Sequence, residues 1–166
     1  MLRKLFSVTV LQMAMAAMPV IAAEDKKQED GKYFTKDDVP TYNVKEDGTV
    51  DWYTYSGFRR YHSECHVCHG PDGLGSSYAP ALSDSMKALP YEDFLYIVAV
   101  GRERITASVI SKMPGFGENK NVHCYLDDIY VYLKARSDGA IPRGRPKKRD
   151  AKPASAKAYE KECFEG

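Results

Sequence analysis

Glu64-Cys65-His66-Val67-Cys68-His69-Gly70-Pro71-Asp72-Gly73 is the stretch on which the reading of this chain turns. Two thiols three positions apart, followed at once by an imidazole, form Cys-x-x-Cys-His, the attachment signature of a covalently bound haem c. The thiols of Cys65 and Cys68 add to the vinyl groups at one edge of the macrocycle, and His69 then lies beneath the iron as its ligand. Three other readings of the same residues stand beside this one. A thioredoxin-like redox pair requires a βαβ context, and none flanks the motif. A zinc site requires a fourth ligand, for which His123 and Cys124 are available. A plain Cys65–Cys68 disulfide leaves His69 without a role.

Working outward, the segment before the motif is rich in aromatics, DWYTYSGFRRYHSE over 51–64, with Thr54, Phe58 and Tyr61 on one helical face and Asp51 placed to cap the helix. Gly70 to Gly75 is loop by composition. Ser83 to Leu89 predicts a short helix. Pro90 then opens a longer one at the first helical position, with Glu92 and Asp93 in its first turn and Gly101 past its end. Tyr91, Phe94, Leu95 and Val98 give it an apolar stripe. A last helix is predicted from Val122 to Ser137, striped by Leu126, Ile129, Tyr130 and Leu133 and stopped by Gly139. Strand signals are weak throughout, so the expected fold is all-α, three to four helices joined by long loops over residues 51–139. That much irregular chain leaves a small protein-only core, and a haem at its centre supplies the missing apolar volume.

The 166 residues allow one such domain plus extensions. Arg3 and Lys4, the apolar run to Ala23 and the charged Glu24-Asp25-Lys26-Lys27 read as a signal peptide over 1–23, cleaved near Ala23, and place the protein in the periplasm. A retained anchor is the other reading, against which Gln12 and Pro19 interrupt the run. No later stretch is long enough to span a bilayer, so no stable membrane insertion is expected after cleavage. Loss of residues 1–23 removes two basic and no acidic side chains, which moves the net charge from +1 to −1. A near-neutral chain offers no footprint for nucleic acid. Residues 24–50 read as a polar extension without strand periodicity. Residues 140–166 read as a Pro-rich, basic extension in which the cluster Arg143 to Arg149 is solvated. With Cys65 and Cys68 assigned, Cys124 and Cys163 remain free to pair, tying this tail back to the start of the last helix and restricting the unfolded chain by roughly 3–4 kcal/mol.

A six-coordinate iron requires a second ligand. Ser111-Lys-Met-Pro-Gly-Phe116 places Met113 in a Gly/Pro-rich loop, where its thioether completes His/Met coordination and raises the reduction potential. Met86 is the competing thioether, and His62, His66 and His123 offer nitrogen instead. Asp127-Asp128 reads as a solvated helix start rather than a catalytic carboxylate pair, and no acid–base or nucleophile set is evident. The expected role is electron transfer, not catalysis. The alternative is a haem sensor or peroxidase-like enzyme with an open distal site, or a cytochrome subunit anchored in a membrane complex.

From Gly57 to Gly139 the chain resembles a class I cytochrome c. In that family a Gly and an aromatic on the N-terminal helix, here Gly57 and Tyr61, allow the C-terminal helix to cross closely, with Tyr130 or Tyr132 as partner. Tyr78-Ala79-Pro80-Ala81-Leu82 resembles the proximal loop, which implies that the Pro80 carbonyl accepts a hydrogen bond from His69 Nδ1. Met113-Pro114 resembles the distal ligand loop. A narrower resemblance rests on VDWYTYSGFRRYHSECHVCHGPDGLGSSYAPAL, on DDIYVYLKARSDGAIPRGRP and on the four cysteines. These are similar to the methanol-metabolism-related c-type cytochromes. That resemblance implies a PQQ-dependent, lanthanide-type methanol dehydrogenase as electron donor, and a downstream cytochrome c or oxidase as acceptor.

Overall fold

Asp51 opens the first long helix. Its carboxylate accepts from the Thr54 N–H at 2.9 Å and the Thr54 hydroxyl at 2.6 Å, satisfying donors that a helix start leaves orphaned. Helix α1 then runs Trp52–Glu64. A computed structural model describes residues 26–105 and 110–166, so the signal-peptide reading of 1–23 lies outside the described residues.

Helix α1 crosses a helix near the other end of the core, Leu126–Ser137, and Gly57 is the reason they meet so closely. A Cβ at Gly57 would lie 1.8 Å from the Asp128 carbonyl oxygen and 2.8 Å from Tyr132 Cβ. Tyr61 packs on Tyr132 at 5.5 Å between ring centroids, and Phe58 meets the same ring edge-on at 5.7 Å. Tyr132 is therefore the crossing partner. Tyr130 turns away toward Tyr91 and Phe94, at 4.8 and 5.3 Å.

Among the described residues, three four-residue helices and two longer ones lie around that crossing. In chain order, α2 is His66–His69, α3 is Leu82–Ser85, α4 is Tyr91–Val100, α5 is Lys120–His123, α6 is the Leu126–Ser137 helix, and α7 is Ala154–Glu165. A 3₁₀ turn occupies Pro71–Gly73. The helix expected over 122–137 is interrupted: Tyr125, at φ −135°, leaves the helical path between α5 and α6. Pro90 stands as the cap of α4 rather than its first residue, and Gly101 ends it at φ +83°.

The chain is mostly helical but not all-α. Strands β1 (Lys27–Glu29), β2 (Lys32–Phe34) and β3 (Pro40–Thr41) form an antiparallel sheet in register Lys27↔Phe34 and Tyr33↔Thr41. Strands β4 (Arg102–Ile105) and β5 (Ile110–Met113) form a second antiparallel pair. Two- to four-residue strands made largely of polar residues carry too little alternation to be read from sequence. The turn at Asp30-Gly31, with both φ positive, is the signal that was available.

The basic tail is ordered as well, although its charged side chains from Arg143 to Arg149 are exposed, as a solvated cluster requires. Ile141 is buried. The Val50 N–H donates to the Lys148 carbonyl at 3.2 Å and the Asp150 N–H to the Val50 carbonyl at 2.9 Å. Arg149 sits over Trp52 and Tyr55 at 5.0 and 4.8 Å. Helix α7, also unanticipated, then returns to α5, where Cys124 and Cys163 are bonded with Cα atoms 5.9 Å apart. Among the described residues no helix is long and apolar enough to cross a membrane.

Candidate functional site

The Cys-x-x-Cys-His residues fold as a single turn that follows directly from α1. The Cys65 N–H still donates to the Tyr61 carbonyl at 2.9 Å, and the His69 N–H donates to the Cys65 carbonyl at 3.0 Å. Cys65 is half-buried, Cys68 exposed and His69 buried. His69 Nδ1 lies 3.0 Å from the Pro80 carbonyl oxygen. A carbonyl can only accept, so Nδ1 carries the proton and the Nε2 lone pair is left free to bind a metal.

The loop that brings Pro80 to His69 is built from special backbone. Gly70 has φ +72°, and a Cβ there would fall 2.2 Å from the Gly75 carbonyl oxygen. The Gly75 N–H donates to the His69 carbonyl at 2.7 Å. Ser76 Oγ donates to the Cys68 carbonyl, and Tyr61 OH donates to the Gly70 carbonyl at 2.5 Å. Leu82 opens α3 and packs against the core. Cys65, Cys68, His69 and Pro80 thus belong to one hydrogen-bonded loop cluster.

Met113 is positioned independently, from α4. It is the last residue of β5 rather than part of a loop, paired opposite Arg102. The reason is the tight turn at Gly101, where a Cβ would lie 2.5 Å from the Met113 carbonyl oxygen. Just beyond, the Phe116 and Gly117 N–H groups donate to the Val98 and Ala99 carbonyls, both at 2.9 Å. The Met113 side chain is half-buried against the core. Met86 is a core residue, 2% exposed.

The nitrogen alternatives and the zinc reading fare differently. His62 Nδ1 donates to the Phe58 carbonyl at 2.8 Å, and its Nε2 lies 3.8 Å from Asp72. His66 stacks on His62 at 5.7 Å, and His123 is exposed at the end of α5. Cys124 is consumed by its disulfide and is not available to zinc. Among the described residues no group of three His, Cys, Asp or Glu side chains could hold a metal ion. Cys65 and Cys68 are not bonded to each other.

Two acids were not anticipated. Asp72, three residues past His69, is buried with φ +60°. It accepts from the Gly144 N–H at 2.9 Å, from Tyr132 OH at 3.4 Å and from Arg143 Nε at 3.4 Å. Burial alone would raise its carboxyl, but the Gly144 N–H, Arg143, Arg136 and His62 outweigh it and hold the group below the usual carboxylate range. The Pro-Asp-Gly run signals a turn, yet nothing local names partners seventy residues away. Asp128 is buried as well, not a solvated helix start. Its burial pushes the carboxyl up to about 7, against the opposing pull of Ser56 and Lys32.

The donor set fits a covalently attached haem: two thiols one turn apart, an imidazole with its tautomer fixed, and in Met113 a half-buried thioether that would serve as second ligand. With the glycine-mediated helix crossing, these features define a class I c-type cytochrome. No family model matches the chain. It is 49% identical over 161 residues to cytochrome c-553I of Paracoccus denitrificans, covering 89% of this chain and 71% of that protein. It is 41% identical over 100 residues to cytochrome c-555 of Methylococcus capsulatus, covering 60% of this chain and 75% of that one. The crystal structure of the c-type cytochrome XoxG from Methylobacterium extorquens AM1 matches with a TM-score of 0.77 at 59% identity, covering 82% of this chain and 84% of that one. The chain belongs to the c-type cytochromes: it carries covalently bound haem c and is an electron-transfer protein, not an enzyme.

Proposed function

We propose that this protein is an exported, periplasmic single-electron carrier whose haem is joined to Cys65 and Cys68 and held between His69 and Met113. The donor we infer is a PQQ-dependent, lanthanide-type methanol dehydrogenase, and the acceptor a downstream cytochrome c or oxidase. When bound, haem iron cycles between ferric and ferrous states and so stores one electron. The chain's own residues hold and orient. His69, with Nδ1 committed to the Pro80 carbonyl, keeps Nε2 aimed as a ligand and cannot rotate without losing that bond. Met113 is fixed through its backbone by Gly101 and by the Phe116 and Gly117 bonds to α4.

The observation that carries the site assignment is the 3.0 Å contact between His69 Nδ1 and the Pro80 carbonyl, because it selects the metal-binding tautomer. The methanol dehydrogenase assignment rests on the resemblance of the motif region and the 127–146 segment to the methanol-metabolism-related cytochromes.

The test is the visible and near-infrared spectrum of the haem-loaded protein and of Met113→Ala. The oxidised wild type is expected to show the weak far-red band of thioether-to-ferric-iron coordination, and Met113→Ala to lose it and bind carbon monoxide. Absence of the band in the wild type, with ready carbon monoxide binding, would favour the sensor or peroxidase-like reading instead. Reduction by a purified quinoprotein methanol dehydrogenase, followed by stopped flow, tests the donor.

A further inference from the structure

The near-zero net charge of the chain conceals a strongly uneven distribution. Residues 141–152 hold six basic side chains against Asp150 alone, while the rest of 26–166 holds sixteen basic and twenty acidic. This basic segment is an ordered strap. It is fixed at Ile141, whose carbonyl accepts from Arg136 at 2.6 Å, and at Val50 through the paired bonds to Lys148 and Asp150. Between those anchors Arg143, Arg145, Lys147, Lys148 and Arg149 all remain exposed.

The strap reaches the haem loop directly. The Gly144 N–H donates to Asp72 Oδ1, and Arg143 Nε approaches Oδ2, so its first residues lie against the loop three positions past His69. Val67, Leu74 and Tyr78 of the same loop region are exposed apolar side chains, 73%, 42% and 80% accessible. The guanidiniums are also preset. Arg145 stacks over Tyr55 and bonds its hydroxyl, while Arg149 lies over both Trp52 and Tyr55. A guanidinium held on a ring keeps its charge in water and loses little further freedom on meeting a carboxylate.

We propose that the strap over 143–149 is the docking rim for an electron-transfer protein that presents a cluster of carboxylates, seated beside the haem loop. The inference rests on the electron-carrier reading and adds to it the chemistry of one partner. Fixed guanidiniums in a single band suit the planar, bidentate geometry of carboxylates, whereas attraction to a lipid surface needs only a loose cluster of charge. Such a rim steers encounter and fixes orientation at low salt.

The experiment uses the haem-loaded full chain in stopped flow, with reduced flavodoxin as an acidic redox-protein probe and free reduced riboflavin as a small donor. Lys147→Glu with Lys148→Glu reverses two exposed charges of the strap, the second with loss of the Lys148–Asp47 ion pair at 3.1 Å, and leaves the stacked arginines in place. The flavodoxin rate is expected to fall about tenfold in this variant and to fall with added salt in the wild type, while the riboflavin rate stays unchanged. Titration with oxidised flavodoxin is expected to shift amide resonances of 143–149 and of the haem loop. The conservative Lys147→Gln with Lys148→Gln variant is expected to lie between the two in rate. An unchanged flavodoxin rate in the Glu variant, or amide shifts confined to other surfaces, overturns the proposal. Strap-dependent binding to phosphatidylglycerol vesicles together with an unaffected flavodoxin rate also overturns it, and makes lipid the occupant. If neither donor reduces the haem, the carrier reading itself fails, which is a separate result.

Discussion

The α1–α6 crossing and the C-terminal strap are both ordered, but by opposite means. The crossing is a dry, close contact of backbones, permitted by the missing side chain of Gly57 and sealed by Tyr61 and Tyr132, each fully buried. The strap is a polar, exposed run that owes its position to a few backbone bonds at Val50, to Asp72, and to rings beneath its arginines. The first kind of order tolerates no added atom. The second tolerates change at most positions and depends on its anchors. What this teaches is that a haem loop can be held from one side by packing and from the other by charge.

The largest effect is expected at the tail's covalent anchor. Cys124→Ser with Cys163→Ser releases a closure spanning 39 positions and is expected to lower stability by about 4 kcal/mol in urea unfolding. The visible spectrum should stay intact, because the crossing is untouched. Gly57→Ala breaks the other side of the comparison. A methyl 1.8 Å from the Asp128 carbonyl forces the helices apart, and a loss of about 3 kcal/mol is expected, here with a disturbed haem spectrum.

Asp72→Ala tests the point where the two regions touch. It strands the Gly144 N–H, at a cost of about 2 kcal/mol, and hydrogen exchange at Gly144 should accelerate far more than at residues of α6. Asp72→Asn keeps an acceptor and should recover most of that protection.

Asp128 gives the crossing a pH dependence. Burial raises its folded pKa to about 7, above the ordinary value of 3.8, so between these values the folded chain holds more proton than the unfolded one. The stabilisation is complete below the unfolded pKa and is lost as pH rises through 7. Denaturation midpoints at pH 5 and pH 8 should differ by less in Asp128→Asn than in the wild type. The smallest effect is expected from Arg149→Ala, about 0.5–1 kcal/mol for a lost exposed cation–π contact, with local exchange near Val50 as its readout.

The parts that could be read from sequence were those governed by neighbours in the chain. Asp51 as a cap, the Phe94 and Val98 stripe of α4, and the Gly57–Tyr61 spacing each declare themselves within a turn or two. The Cys-x-x-Cys-His turn does the same for the site. The parts that escaped depend on distant partners. Arg149 on Trp52 and Gly144 on Asp72 join residues tens of positions apart, and a basic run looks alike whether it is solvated or seated on rings. Asp128 escaped because a charged residue at a helix start is ordinarily exposed, and its burial beside Ser56 and Lys32 depends on partners tens of positions away in the chain. Helix α7 had a legible signal in its Ala, Lys and Glu content after Pro153, masked by the prolines and charges before it.

The close crossing also bears on how readily the molecule can change oxidation state. Gly57 locks α1 to α6, and Tyr61, from the same helix face, holds the Gly70 carbonyl of the haem loop. Groups fixed in this way do not need to move when an electron arrives. A loop braced in this way is suited to an electron carrier, for which dipoles that are already in place and need little rearrangement on a change of charge are the expected advantage.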